Sequence, residues 1–277
     1  MLTRVADGRA DVVREIAAAA PLMADLSAPV TARGPWLTAA LNASATGRLS
    51  RVRPRAVVVE QGPPGRPDGL ALLAFRRRAV GTSVTLLGAD AGPLPEGRPQ
   101  NRLHARDDDI AARLAAGVAD LLGALRGPWT MRLSGLPLGD PTLRHLAALL
   151  PDSSLATARS RRLVDELDTV GAVARSREPA ELDRRLPAVL DRVPSSGRAL
   201  LRTAARLHAA NGRLEVAVVP GAGGPAAVLL TLVDPHPGGE DRWPWWGSTD
   251  VGGLRRELGS PGVTLTVSAG LARLGRG

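Results

Sequence analysis

The segment AVVVEQGPPGRPDGLALLAF (56–75) holds two apolar runs separated by a stretch rich in proline and glycine. The runs AVVVE and LALLAF are too short for helices and are bounded by turn residues, so each predicts a strand. Between them QGPPGRPDG suits a loop joining antiparallel neighbours, because proline presets one backbone angle and glycine frees it. A third run, SVTLLG (83–88), follows closely, and the three segments read as a meander.

Upstream, helices are expected over 7–26 and at GPWLTAALNAS (34–44). Downstream comes RDDDIAARLAAGVADLLGALRG (106–127), where Ile110, Leu114, Val118, Leu121, Leu122 and Leu125 form a helical stripe. Asp107, Asp108 and Asp109 precede it as capping carboxylates, a reading preferred to a metal site. A strand at WTMRL (129–133), a helix at DPTLRHLAALL (140–150) with Asp140 as cap and Pro141 in its first turn, and a strand within SLATARSRRLVDEL (154–167) complete this half.

The second half predicts helices at EPAELDRRLPAVLDRV (178–193) and GRALLRTAARLHAANG (197–212), then strands RLEVAVV (213–219) and AAVLLTLV (226–233). DRWPWWGSTD (241–250) follows as a third strand or its edge. A short helix at GGLRRELG (252–259) and a last strand GVTLTVS (262–268) end it. Both halves then share one order of elements: helices, three strands, helix, strand.

The chain has 277 residues, 44% of them hydrophobic, which is enough to bury an ordinary core. Every one of its 36 basic residues is arginine, and the net charge of +9 favours an anionic partner: a phosphorylated donor, nucleic acid or an acidic surface. Cysteine is absent, which excludes disulfides and thiol chemistry and makes the cytoplasm the expected setting. No run has the ~18 apolar residues of a spanning helix.

Several motifs fail on context. GAGGPA (221–226) fits a loose dinucleotide fingerprint, but a strand follows it where that chemistry needs a helix. The four histidines, His104, His145, His208 and His236, lie far apart in sequence, so no zinc site is expected. Arg198, Arg202 and Arg206 recur every four residues and share a helical face. Arg159, Arg161 and Arg162, with Arg76, Arg77 and Arg78, mark strand ends; both groups read as solvated surface or as a phosphate-contacting patch.

The words PWLTAALNAS (35–44), RAVVVE (55–60), DGLALLAFRRR (68–78), TSVTLLG (82–88) and MRLSGLPLGDPTLRHLAALLP (131–151) resemble the GNAT acyltransferase core in its tandem form. LLRTAARLHAANGRLEVAVVPGAGGPAAVLLTLV (200–233) resembles the second copy of that group, which includes Fem-type aminoacyl transferases and CelD/BcsL-like acetyltransferases. The resemblance implies an α/β (α+β) fold of two GNAT-like repeats, 1–170 and a shorter 171–277, with mixed, mostly antiparallel sheets flanked by helices. It implies acyl or aminoacyl transfer to an amine, with acetyl-CoA or another acyl-CoA as donor and no metal. Asp250 and His104 are the candidate bases; Trp243, Trp245 and Trp246 are the candidate substrate wall or a partner surface, or two of them fill core between the repeats or cover the incomplete part of the second copy. Gly252, Gly253, Arg198 and Arg202 are the candidate cofactor contacts.

The family's pyrophosphate loop, [Q/R]xxGx[G/A] opening a helix, is missing from ADAGPLPEGRPQNRLHARDDD (89–109). The terminal ARLGRG (272–277) has its glycines without the leading residue. Two other classes therefore stay open: a non-catalytic binding or scaffold protein that kept the fold, and a basic RNA-binding accessory protein.

Overall fold

In the computed structural model, residues 1–45, 52–62, 65–222, 224–236 and 238–270 are described; the ARLGRG terminus lies outside them. The elements in chain order are β1 (Leu2–Asp7), α1 (Arg9–Ala18), α2 (Ala20–Asp25), α3 (Gly34–Ala45), β2 (Val52–Glu60), β3 (Gly69–Arg77), β4 (Thr82–Leu86) and β5 (His104–Ala105). They continue as α4 (Asp108–Gly123), β6 (Trp129–Leu136), α5 (Pro141–Leu149), β7 (Ser154–Asp165) and β8 (Ala174–Ser176). The last are α6 (Pro179–Asp191), α7 (Ser195–Ala210), β9 (Leu214–Gly221), β10 (Gly224–His236), β11 (Gly239–Thr249) and β12 (Leu254–Ala269). The fold is α+β, with one large, mostly antiparallel sheet and a second, smaller one.

The chain forms two compact units, each assembled from separate stretches. The first comprises Met1–Asp90, Asn101–Ala158 and Gly262–Gly277, and the second Ala91–Gln100 and Arg159–Pro261. Strands β7 and β12 thus contribute residues to both.

In the first unit the sheet order is β1-β2-β3-β4-β6-β12-β7, with β5 beside β3. β2, β3 and β4 are antiparallel neighbours, the predicted meander. α4 then carries the chain to β6, which pairs parallel to β4, as such a crossover requires. Asp107 caps α4 by accepting from the Ile110 N–H at 2.8 Å, and Asp108 and Asp109 sit in its first turn, where the helix dipole favours negative charge. The predicted stripe is buried except for the partly exposed Leu125, Ile110, Leu114, Val118 and Leu122 completely, in one core with Val57, Ala71 and Leu73 of the sheet. Leaving water is worth roughly 1.5–3 kcal/mol for each such side chain. Gly117 lets the helix approach closely: a Cβ there would lie 2.7 Å from Val57 Cγ1.

Parallel pairing of β4 with β6 ends at Thr85 and Arg132. Farther along β6 the chain's own Asn101 fills the place beside it. Its N–H donates to the Gly135 carbonyl at 2.9 Å and its Nδ2 to the Ser134 carbonyl at 2.8 Å.

In the second unit β11-β10-β9-β8 form an antiparallel sheet. β9 and β10 make a hairpin, Gly221 opposite Gly224, so GAGGPA opens no helix. α7 buries Leu200, Leu201, Ala204, Ala205 and His208. β11 is an outer strand, consistent with Pro244, which cannot donate to a central ladder.

Three expectations are corrected. The helix expected over 7–26 begins at Arg9 and is divided at Ala19, and Leu2–Asp7 instead forms β1, paired antiparallel to β2. GGLRRELG is not a helix but the start of β12, a single 16-residue strand. Its charged residues find partners across the surface, Arg255 with Glu166 and Glu257 with Arg162, so tertiary pairing overrides a weak helical pattern. The order of elements in the second half therefore lacks the helix expected before its last strand.

Candidate functional site

The tryptophans of β11 organise the second unit around the segment Ala91–Gln100. Trp243 and Trp245 are buried, 4% and 5% exposed, while Trp246 is partly exposed. A register shift opposite Leu230/Thr231 accommodates the extra residue in β11. The Trp243 indole N–H donates to the Glu96 carbonyl at 2.7 Å, and that of Trp245 to the Pro93 carbonyl at 2.8 Å. Gly97, with φ +94°, donates its N–H to Ser160 Oγ at 2.8 Å and accepts from the Ser260 N–H at 2.7 Å. A Cβ at Gly97 would lie 2.0 Å from Arg162 Cβ, so the segment is clamped backbone against side chain.

Beside this clamp lies an open cleft of about 740 Å³, lined by Arg98, Arg159, Arg162 and Arg242 together with Asp165 and Asp241. Arg98 stacks over the Trp243 ring, its Cζ 4.5 Å from the centroid, and pairs with Asp241. Arg162 pairs with Glu257 at 2.5 Å, and Arg242 with the buried Glu215. Burial alone would raise the Glu215 carboxyl, but the hydrogen bond and charge of Arg242 and the charge of Arg175 hold it below the usual carboxylate range. Arg159 is exposed and, among the described residues, makes no ion pair. The cleft therefore offers one uncommitted guanidinium beside three committed ones.

A second cavity, about 420 Å³, adjoins it and shares Glu96 and Leu163 as lining. Its other walls are Pro93, Leu94, Trp245 and Trp246, and Arg256 pairs with Glu96 at 2.8 Å.

The other candidate residues do not gather here. His104 belongs to β5 of the first unit and is 2% exposed. Its Nε2 lies 3.1 Å from the Ala32 carbonyl, which only accepts, so that nitrogen carries the proton. Burial, reinforced by the charge of Arg102, lowers its pKa to about 4 despite that carbonyl. His208, also buried, is lowered to about 4 by desolvation and by the charge of Arg213. Asp250 belongs to the second unit and is exposed, its carboxylate 3.2 Å from Arg192.

Gly252 and Gly253 have φ +88° and +77° and turn the chain from β11 into β12. No helix follows them, so the anion-binding helix start expected there does not exist. Arg198 donates to the Val193 carbonyl at 2.8 Å and to Asp191 at 3.4 Å, closing the end of α6, and Arg206 pairs with Asp183. Only Arg202 of that helical face is exposed with no ion pair among the described residues. Among the described residues no group of three or more His, Asp or Glu side chains could hold a metal ion. None of the described helices is long and apolar enough to cross a membrane.

Arg159 and Arg162 carried a sequence signal as ARSRR; Arg98 and Arg242 carried none, since their roles depend on partners on other strands and segments.

The chain matches no family model and no curated protein. A conserved protein of unknown function from Bacteroides thetaiotaomicron VPI-5482 is 10% identical, with a TM-score of 0.46 over 91% of this chain and 97% of that one. FemX is 12% identical, with a TM-score of 0.41 over 84% of this chain, which spans 58% of FemX.

Proposed function

We propose that this protein binds a small anionic ligand in the larger cleft of its second unit, as a non-catalytic protein on an acyltransferase-like architecture. The observation that carries this is Arg159, exposed on a cleft wall already lined by Arg98, Arg162 and Arg242 and without an ion pair among the described residues. A guanidinium in that position meets phosphate or carboxylate with a planar pair of donors. Supporting the non-catalytic side, Asp250 is held by Arg192 and His104 is a buried, neutral donor to a carbonyl.

The second reading is acyl or aminoacyl transfer to an amine, with acetyl-CoA, another acyl-CoA or aminoacyl-tRNA as donor. It is favoured by the element order of the first unit, in which helices, the β2-β3-β4 meander, α4, a parallel β6, α5 and β7 follow one another.

Calorimetric titration with pyrophosphate, coenzyme A, acetyl-CoA and bulk tRNA at physiological salt separates the readings. Binding of pyrophosphate or coenzyme A that R159A weakens at least tenfold is expected. No binding by any of the small anions overturns the proposal. Release of free thiol from acetyl-CoA in the presence of amines would establish the transferase, and salt-resistant tRNA binding alone would establish the RNA-binding class.

A further inference from the structure

We propose that the β3–β4 hairpin of the first unit docks the protein on an anionic lipid surface, its tip entering the headgroup layer and its arginines pairing with lipid phosphates. The hairpin turns through Arg78, Ala79, Val80 and Gly81, closed by the Arg78 N–H donating to the Gly81 carbonyl at 3.0 Å. Beside it lies the loop that precedes β6. The Thr82 N–H donates to the Pro128 carbonyl at 2.9 Å, and a Cβ on Gly81 would stand 2.1 Å from that same oxygen. This contact brings Arg126, two residues before Pro128, to the hairpin's end of the sheet. β2 begins there too, with Arg53 opposite Phe75 and therefore diagonal to Arg77 on one face.

Arg53, Arg77, Arg78 and Arg126 are all exposed, and among the described residues none of them makes an ion pair. The carboxylates bonded at this end are already taken, Asp7 by Arg55 at 3.1 Å and Asp90 by Arg76 at 3.5 Å. Like charges gathered this closely repel one another, and an external anion relieves that repulsion. At the tip, Val80 is 69% exposed. A single exposed valine is ordinary. Carried at the tip of a turn among unpaired guanidinium groups, it matches a bilayer interface, which takes the apolar group below the headgroups and keeps the cations among the phosphates. A nucleic acid offers phosphates too, but the rings at this end, Phe75 and Trp129, are buried and give bases no stacking platform. The hairpin belongs to the first unit, so this surface is independent of the cleft in the second.

Co-sedimentation of the full chain with vesicles of phosphatidylcholine alone, or of phosphatidylcholine and phosphatidylglycerol in a three-to-one ratio, tests this at physiological salt. Binding to the anionic vesicles alone is expected. Arg77→Gln and Arg78→Gln should each weaken it about fivefold. Val80→Asn, which leaves the charge unchanged, should weaken it roughly fivefold as well. Arg113→Gln is the control: Arg113 is exposed on α4 without an ion pair among the described residues, so the variant loses the same charge away from the hairpin and should bind as the parent does. All four side chains are exposed, and an unchanged melting temperature certifies each variant as folded. The inference is overturned by absence of binding to the anionic vesicles, by equal binding to both kinds, by a loss with Arg113→Gln as large as with Arg77→Gln, or by unchanged binding of Val80→Asn. Bulk tRNA bound through the same arginines at this salt, with vesicles left unbound, would assign the patch to nucleic acid instead.

Discussion

The Trp245 indole N–H donates to the carbonyl oxygen of Pro93, residues 152 apart in the chain, across 2.8 Å. The ring is 5% exposed, so bond and packing are lost from different substitutions. Trp245→Phe keeps most of the apolar volume and orphans one carbonyl, at a cost of about 1 kcal/mol. Trp245→Ala also opens a cavity and costs about 3–5 kcal/mol. Urea denaturation of the two variants measures the difference, and equal losses would show that the hydrogen bond carries no separate weight.

Gly97→Ala places a methyl group 2.0 Å from Arg162 Cβ at a backbone angle of +94°, where side chains are strained. The combined overlap and strain should destabilise the protein by about 3 kcal/mol or more. Gly65→Ala, with a similar φ of +84° and open space around it, should cost about 1 kcal/mol and provides the control in the same denaturation experiment.

Stability should fall as pH drops from about 6.5 to about 4. His104 and His208 each have a folded pKa near 4, against 6.5 for the free side chain. In that window the unfolded chain binds protons that the folded one does not, so acid favours unfolding, and the effect levels off below 4. Each histidine contributes up to about 3 kcal/mol to the loss. His104→Gln, which keeps a donor for the Ala32 carbonyl and cannot titrate, should remove about half of the pH dependence measured by denaturant unfolding, the rest belonging to His208.

Asp250→Asn should change stability by less than about 0.5 kcal/mol, because the Arg192 pair is solvent-exposed on both sides. It should also leave anion affinity in the cleft unaltered. A large loss of binding would bring Asp250 back into the site.

Local sequence signals located the helices best. The stripe from Ile110 to Leu125 and the caps Asp107 and Asp140 each act within a few residues, and they recur in α4 and α5 with the same cap bonds, Ile110 and Leu143 N–H donating. The meander was legible for the same reason, since proline and glycine mark its loops. β1 and the start of β12 were not, because each is a strand only through the neighbour it pairs with, and in Gly252 to Gly259 Leu254 and Leu258 stand four apart, a helical spacing. The tryptophan cluster was visible as a cluster, but what two of its rings hold lies about 150 residues upstream in a segment of prolines and glycines with no periodicity. The cleft depends on ion pairs such as Arg98 with Asp241, which sequence spacing cannot pair.

β12 stands between β6 and β7 in the sheet of the first unit, although both of those strands precede it by roughly 100 residues or more. A nascent chain emerging from the ribosome therefore presents β6 with one flank open until Gly262–Ala269 has been made. Throughout that interval the flank of β6 turned away from β4 lacks a partner, and Met131 and Leu133 lack the neighbours Val267 and Leu265 that later complete their row. Completion of the first unit's sheet thus waits for Gly262–Ala269 to be made, and the interval before it is when this arginine-rich chain is most exposed to mispairing along that edge.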